Sequence, residues 1–220
     1  MNCNQEIENN RELKQNAAAQ GTDYEITITQ GDELFDWHAL FGNAHPVEIE
    51  IGCGRGLFII RRARENPGTN FLGLEKSARF FRILRERVVK SGLPNIRLIR
   101  GEAGYLVKQF VPSNSVQAVH IYFPDPWPKK RHRKRRLINS SFLENIARVL
   151  KPEGVLCIAT DFQDYCMEII AAASSCGGLA GVSYEERSAQ DINPDTAATA
   201  YERKYLLQGR VIYRTLFTKV

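Results

Sequence analysis

The chain has 220 residues, of which 43% are hydrophobic and 25% charged, and its formal net charge at pH 7 is +5. This length supports one sizeable α/β core with extensions, whereas no apolar run reaches the roughly 20 residues of a membrane span and the polar N-terminus lacks the apolar segment of a signal peptide. Five cysteines without CxxC spacing predict neither a disulfide framework nor a metal site, so we expect a cytoplasmic protein without a metal.

Strands and helices are predicted to alternate along most of the chain. Residues 1–35 are expected to form a partly flexible N-terminal extension, with a short strand at 24–30, and residues 36–220 one domain that begins with a turn of helix at 36–46. The predicted strands then cover 47–51, 71–75, 96–100, 116–123 and 154–159, with a last pair near 181–187 and 210–217. The predicted helices cover 57–66, 77–92, 141–150 and 162–176. This alternation is typical of βαβ units in an α/β fold with a largely parallel sheet.

A glycine-rich segment, EIGCGRG, follows the first predicted strand and contains Gly52, Gly54 and Gly56. Glycine lets the backbone turn tightly here and approach a ligand that lies over the start of the next helix. The same spacing also occurs in plain turns, but its position between a strand and a helix favours a cofactor site.

Acidic residues recur where the predicted strands end. Glu50 lies just inside the first strand, Glu75 closes the second, Glu102 follows the third and Asp125 follows the fourth. Ligands of parallel sheets bind at this edge. Any one of these acids could be a solvated loop carboxylate, but four in succession favour a shared site. Carboxylates would repel the phosphates of NAD or ATP, whereas S-adenosylmethionine presents a sulfonium, an ammonium and neutral donors, so they indicate an S-adenosylmethionine site.

A proline-rich turn and a basic run follow the fourth strand. The prolines of PDPWP restrict the backbone around Asp125 and Trp127. Lys129–Arg136 then contains seven Lys or Arg and no acid, so the rest of the chain sums to −2. A solvated loop or a localisation signal would have the same composition, but the position beside the predicted pocket favours a surface that binds phosphates.

With these motifs the chain resembles the bacterial tRNA (guanine-N7)-methyltransferases. The similar segments are VEIEIGCGRG, FLGLEKS, IYFPDPWPKKRHRKRRLI, IATDF and TAYERKYLLQGRVIYRTLF, which span about residues 36–217. The resemblance implies a Rossmann-like class I methyltransferase fold, with a mainly parallel seven-stranded sheet and helices on both faces. It also implies transfer of a methyl group from S-adenosylmethionine to N7 of guanine 46 in the tRNA variable loop.

The resemblance further implies roles for single residues. The family's cofactor-binding acids correspond to Glu50, Glu75, Glu102 and Asp125. Its tRNA-contacting residues correspond to Lys129, Asp161, Thr199 and Glu202. The family usually has a lysine where this chain has Ala200, so a direct cationic contact at this position is not implied.

Methyl transfer to N7 requires that N7, the methyl carbon and the sulfur be aligned. It needs no general base, because this nitrogen has a lone pair and no proton. Asp125 is the expected catalytic residue, since its carboxylate could accept from the guanine edge and stabilise the positive charge that methylation creates. Lys129 is expected at the target nucleotide. The remaining cations of the run are expected to bind the tRNA backbone without reading its sequence: Lys130, Arg131, Arg133, Lys134, Arg135 and Arg136.

Several alternatives stay open. Asp161 could be a second acceptor for the base or the N-cap of the following helix, and Trp127 could stack on the base or cover the turn. His120 is expected to be a packed core residue. The chain could also be a methyltransferase for another RNA, a protein or a small molecule, or an RNA-binding protein without catalysis. Its oligomeric state, monomer or homodimer, is open.

Overall fold

A seven-stranded sheet forms the centre of the computed structural model, which describes residues 24–29, 33–188 and 199–220. The strands are β1 (Val47–Ile51), β2 (Asn70–Glu75), β3 (Ile96–Arg100), β4 (Val116–Tyr122), β5 (Leu150–Thr160), β6 (Leu179–Arg187) and β7 (Ile212–Lys219). Their order is β3-β2-β1-β4-β5-β7-β6. The pairs from β3 to β5 are parallel, and β7 is antiparallel to β5 and β6. The predicted mainly parallel α/β sheet is therefore confirmed.

The helices connect these strands and cover both faces of the sheet. They are α1 (Trp37–Phe41), α2 (Leu57–Glu65), α3 (Ala78–Ser91), α4 (Ala103–Phe110), the 3-10 helix Lys130–Arg135, α5 (Ser140–Val149), α6 (Gln163–Ser175) and α7 (Ala200–Leu207). The larger apolar core includes residues of α4, α5 and α6, and a second core joins α2 and α3 to the other face. The sequence pattern above does not include α4 or α7.

The two faces of β1 and β4 differ in polarity because successive side chains of a strand point to opposite sides. One set is apolar and belongs to the larger core: Ile49, Ile51, Val119 and Ile121. The other set is polar and buried or half-buried near α2: Glu48, Glu50, His120 and Tyr122. Polar groups buried in this way need hydrogen-bond partners, and their partners shape the site described below.

The chain before α1 lies along the edge of the sheet. Glu25 forms a single parallel bridge with Leu98 of β3, so the strand expected at 24–30 is reduced to one bridge. Phe35 is buried and stacks on Phe110 at 5.8 Å. Residues 1–23 and 30–32 lie outside the described residues, and the boundary at residue 35 stays a prediction. Within the described ranges, no helix combines the length and the apolar composition required to cross a membrane.

Candidate active site

Two adjoining cavities occupy the carboxyl edge of the sheet. The larger has a volume of about 1410 Å³, and its wall includes acids from four successive connections: Glu75, Glu102, Asp125 and Asp161. The smaller, of about 380 Å³, is lined by Glu50 and shares Gly52, Gly54 and Tyr122 with the larger. The structure therefore brings together the four acids predicted to bind the cofactor.

The glycine loop after β1 forms the wall between the cavities. Gly52 and Gly54 have left-handed backbones with φ of 80° and 54°, which side chains disfavour. The Gly54 amide donates to the Glu75 carboxylate at 2.8 Å. Gly56 lines neither cavity, and a Cβ there would lie 2.4 Å from Leu84 Cδ1. Gly56 thus permits close packing of α2 on α3, a different role from the predicted cofactor contact.

Glu102 has a structural role as well as a place in the cavity wall. Its two carboxylate oxygens accept from the amides of Gly104 at 3.1 Å and Tyr105 at 2.7 Å, which caps the start of α4. Each carboxylate oxygen can accept more than one hydrogen bond, so both roles are compatible.

Glu50 and Glu48, two residues apart on β1, have opposite electrostatic environments. Glu50 is only 4% exposed, and its Oε2 has no hydrogen-bond partner among the described residues. Burial, together with the nearby charge of Glu75, raises the pKa of Glu50 to about 8. Burial alone would also raise the pKa of Glu48, but the hydrogen bonds and charges of His120 and Arg62 outweigh it and lower this pKa to about 2.

We expect Glu50→Gln to stabilise the ligand-free protein, with a gain that grows as pH rises. The unfolded carboxyl ionises near 4.5, whereas the folded one stays protonated up to about 8, so wild-type stability falls across this window. A neutral glutamine avoids the loss, which amounts to roughly 2–5 kcal/mol at pH 8. Urea unfolding of both proteins between pH 4.5 and 8 measures this difference in the free energy of unfolding.

The matched variant Glu48→Gln should show the opposite sign. The lowered pKa of Glu48 stabilises the fold above pH 4.5, and this contribution disappears as pH falls toward 2. Glu48→Gln should therefore destabilise the protein at pH 7 and approach wild type in acid. A gain for Glu50→Gln that did not depend on pH would contradict the burial of an unpartnered carboxyl.

The turn after β4 holds Asp125 in a constrained backbone. Phe123 and Trp127, on either side of it, have positive φ of 55° and 41°, which is uncommon outside glycine. Arg136 Nε donates to the Pro126 carbonyl at 2.7 Å, and its guanidinium lies 4.5 Å from the centre of the Tyr165 ring. These contacts fix the turn and leave Asp125 exposed in the cavity wall.

Arg136 was predicted to contact the tRNA backbone, but the structure gives it a role inside the protein. Its side chain is 4% exposed and forms an ion pair with Glu168, so its charge is satisfied inside the protein. Arg133 is 40% exposed and also pairs with Glu168, at 2.7 Å, and with Asp164, at 3.8 Å. Both arginines attach the 3-10 helix to α6.

The other cations of the basic run are exposed: Lys129, Lys130, Arg131, Lys134 and Arg135. Lys129 lies next to the turn but outside the cavity wall, whereas Arg135 belongs to that wall. The Arg135 guanidinium lies 5.0 Å from the centre of the Trp127 ring, so Trp127 packs between the turn and the basic run in this structure. A strip of positive charge thus adjoins the mouth of the cavity whose wall holds four acids.

Besides Lys129, the three residues predicted to contact tRNA have different positions. Asp161 lines the larger cavity and pairs with Arg210 at 2.5 Å. The N-cap of α6 is Phe162, so the capping alternative for Asp161 is wrong. Thr199 lines the smaller cavity and caps α7 by accepting from the Glu202 amide at 3.0 Å. Glu202 is 1% exposed, lines neither cavity and accepts from Arg214 Nε at 3.2 Å.

Besides Trp127, the larger cavity contains three aromatic residues that the sequence analysis does not single out. Tyr201 and Tyr205 lie one turn apart on α7, and Phe123 lies 6.4 Å and 5.4 Å from them between ring centres. All three line the larger cavity, near Asp161 and Arg210. Aromatic faces of this kind can stack on a nucleobase. The Thr199-x-x-Glu202 spacing, typical of a helix start, could have revealed α7 and its tyrosines.

The sequence matches one methyltransferase family along most of its length. The family model described as a putative methyltransferase covers residues 44–215. The tRNA (guanine-N(7)-)-methyltransferase of Geobacter metallireducens is 38% identical over 184 residues, which make up 84% of this chain and 87% of that protein. A relative this similar, over this share of both chains, establishes the family.

Solved structures agree on the fold. An antibiotic-related methyltransferase superposes with a TM-score of 0.62 at 18% identity, covering 82% of this chain and 90% of that one. A SAM-dependent methyltransferase from Aquifex aeolicus superposes with a TM-score of 0.57 at 15% identity, covering 80% of this chain and 82% of that one. Sheet order and sequence therefore lead to one conclusion: this chain belongs to the tRNA (guanine-N7)-methyltransferases, S-adenosylmethionine-dependent enzymes with a Rossmann-like fold.

Proposed function

We propose that this chain methylates N7 of guanine 46 in the variable loop of tRNA, in the cytoplasm. One observation carries the proposal: a cavity with four acids and several aromatic side chains in its wall opens beside the exposed cations of the basic run. The cavity suits a cationic methyl donor and a base, and the cations suit a polyanion. The relative in Geobacter metallireducens is named for the same base and the same class of RNA.

The hydrogen-bond acceptors that line the cavities fit S-adenosylmethionine. This cofactor supplies a methyl group on a sulfonium, and its ammonium and ribose hydroxyls are hydrogen-bond donors. The chain offers Glu50, whose Oε2 is buried without a partner, together with Glu75 and Glu102 in the wall of the larger cavity. We assign these three acids to the cofactor and Asp125 to the boundary between cofactor and base.

The protein's own contribution to the reaction is to position the guanine and to stabilise the positive charge that forms on its ring. Asp125, fixed by its turn, accepts from the guanine edge and stabilises the positive charge that develops on the ring. Asp161 supplies a second acceptor, which Arg210 orients. Phe123, Tyr201 and Tyr205 stack on the base and exclude water. N7 carries no proton, so none of these residues needs to act as a base.

The test is incubation of the full chain with labelled S-adenosylmethionine and unmodified tRNA, followed by chemical cleavage at 7-methylguanosine. Cleavage after position 46 is the expected result. A tRNA with adenine at position 46 is the matched control and should take up no label. Label in protein or at another nucleotide would favour a different methyltransferase, and binding of tRNA without any label would favour an RNA-binding role alone.

A further inference from the structure

A chain of hydrogen bonds crosses the polar face of the sheet and ends at the cavities. Arg62 of α2 donates to both oxygens of Glu48, at 3.1 and 3.2 Å. Glu48 Oε2 lies 2.9 Å from Nε2 of His120, and Nδ1 of His120 lies 3.1 Å from the Tyr122 hydroxyl. Glu48 and His120 are 6% and 5% exposed. The chain therefore leads from α2 through the protein interior to Tyr122.

The charge at one end sets the direction of the hydrogen bonds that reach Glu48. Glu48, whose pKa is lowered to about 2, is an ionised acceptor, so Nε2 of His120 must donate to it. In a neutral imidazole the other nitrogen is then an acceptor. Opposite a neutral imidazole the Tyr122 hydroxyl therefore donates its only proton to Nδ1, and its oxygen is left to accept from any further partner.

Tyr122 adjoins the predicted cofactor site. It lines both cavities, together with Gly52 and Gly54 of the glycine loop, and the smaller cavity also contains Glu50. Phe58 packs edge-on against its ring at 4.8 Å, which restricts the ring. Within the described ranges, the hydroxyl makes no hydrogen bond other than the one to His120.

We propose that Tyr122 is a positioning residue whose hydroxyl oxygen accepts from the cationic methionine end of S-adenosylmethionine, and that Arg62, Glu48 and a neutral His120 hold it in this acceptor orientation. The inference rests on the proposed function for the identity of the ligand. We infer that the methionine end lies in the smaller cavity, because that cavity contains Tyr122, the glycine loop and the unpartnered Oε2 of Glu50, whereas the turn that carries Asp125 lines only the larger cavity. A hydroxyl free to rotate would present its proton to a cation part of the time, whereas one that donates to His120 keeps its oxygen available as an acceptor.

Calorimetric titration at pH 8 with S-adenosylmethionine and with S-adenosylhomocysteine tests the proposal. Tyr122→Phe keeps the ring and should weaken S-adenosylmethionine binding about tenfold, because a hydrogen bond to a charged group is lost. Tyr213→Phe, which removes a hydroxyl outside both cavities, is the matched control and should bind as wild type. Thermal melts of each variant verify folding, and the KM for tRNA should not change.

The two ligands and a double-mutant cycle make each outcome informative. S-adenosylhomocysteine keeps the ammonium but lacks the methyl group and the sulfonium, so an equal loss for both ligands supports contact with the ammonium. A loss for S-adenosylmethionine alone supports contact with the sulfonium end. His120→Leu should weaken binding in wild type but add nothing to Tyr122→Phe, since it acts through the same hydroxyl.

The inference is overturned if the wild-type protein binds S-adenosylmethionine and Tyr122→Phe changes the affinity less than twofold. It is equally overturned if His120→Leu weakens binding by the same factor with and without the tyrosine hydroxyl. A wild-type protein that neither binds the cofactor nor methylates tRNA would contradict the proposed function instead, so the two failures are distinguishable.

Discussion

Replacing Asp125 by asparagine is expected to reduce the rate of methyl transfer to tRNA by about 10²–10³-fold while leaving tRNA affinity nearly unchanged. Asparagine has the size of aspartate but no charge, so it cannot stabilise the cation that forms on the guanine ring. Single-turnover rates at saturating cofactor, with filter binding of tRNA alongside, separate the two effects.

The rigidity of the turn is what makes a single carboxylate so important. Phe123 and Trp127 have positive φ, and Arg136 donates a hydrogen bond to the Pro126 carbonyl. Because the turn is fixed in this way, no neighbouring group can move into the position of the Asp125 carboxylate. Asp164→Asn is the matched control, because Asp164 is exposed and outside both cavities. Equal losses of rate and affinity in Asp125→Asn would mean that Asp125 serves folding or docking rather than the reaction.

The sequence predicted those parts of the site that depend on strand ends. Glu75, Glu102 and Asp125 meet because parallel strands bring their carboxyl ends to one edge, and this rule applies without knowledge of the packing. The helix α4 was missed because its start signal is a glutamate, an uncommon N-cap, and its eight residues form a short apolar run.

Roles that depend on distant partners could not be predicted. Arg136 belongs to the densest basic stretch of the chain, yet Glu168 and Tyr165 of α6 bury it. Glu202 is withdrawn from the cavities by Arg214 of β7. A charge pattern shows where cations are concentrated, but only the tertiary structure shows which of them are already neutralised.

This distinction determines which cations should bind tRNA. Lys130 and Lys134 are exposed on the 3-10 helix and form no ion pair among the described residues, whereas Arg133 and Arg136 are held by Glu168. We expect the double charge reversal Lys130→Glu/Lys134→Glu to weaken tRNA binding on the order of 100-fold at low salt. Because each lysine releases about one counterion from the RNA, the slope of log affinity against log salt should fall by about two.

The matched control is Arg64→Glu/Lys90→Glu, which makes the same change in net charge at the last turns of α2 and α3. Helices that return from the carboxyl edge of a parallel sheet end at the opposite edge, so these residues lie away from the cavity mouth. Binding of S-adenosylmethionine should be unaffected in both variants, and saturating tRNA should restore the methylation rate of Lys130→Glu/Lys134→Glu. If the control weakens tRNA binding as much, the attraction comes from net charge alone. A specific tRNA surface requires that the same charge matter more beside the cavity than across the sheet from it.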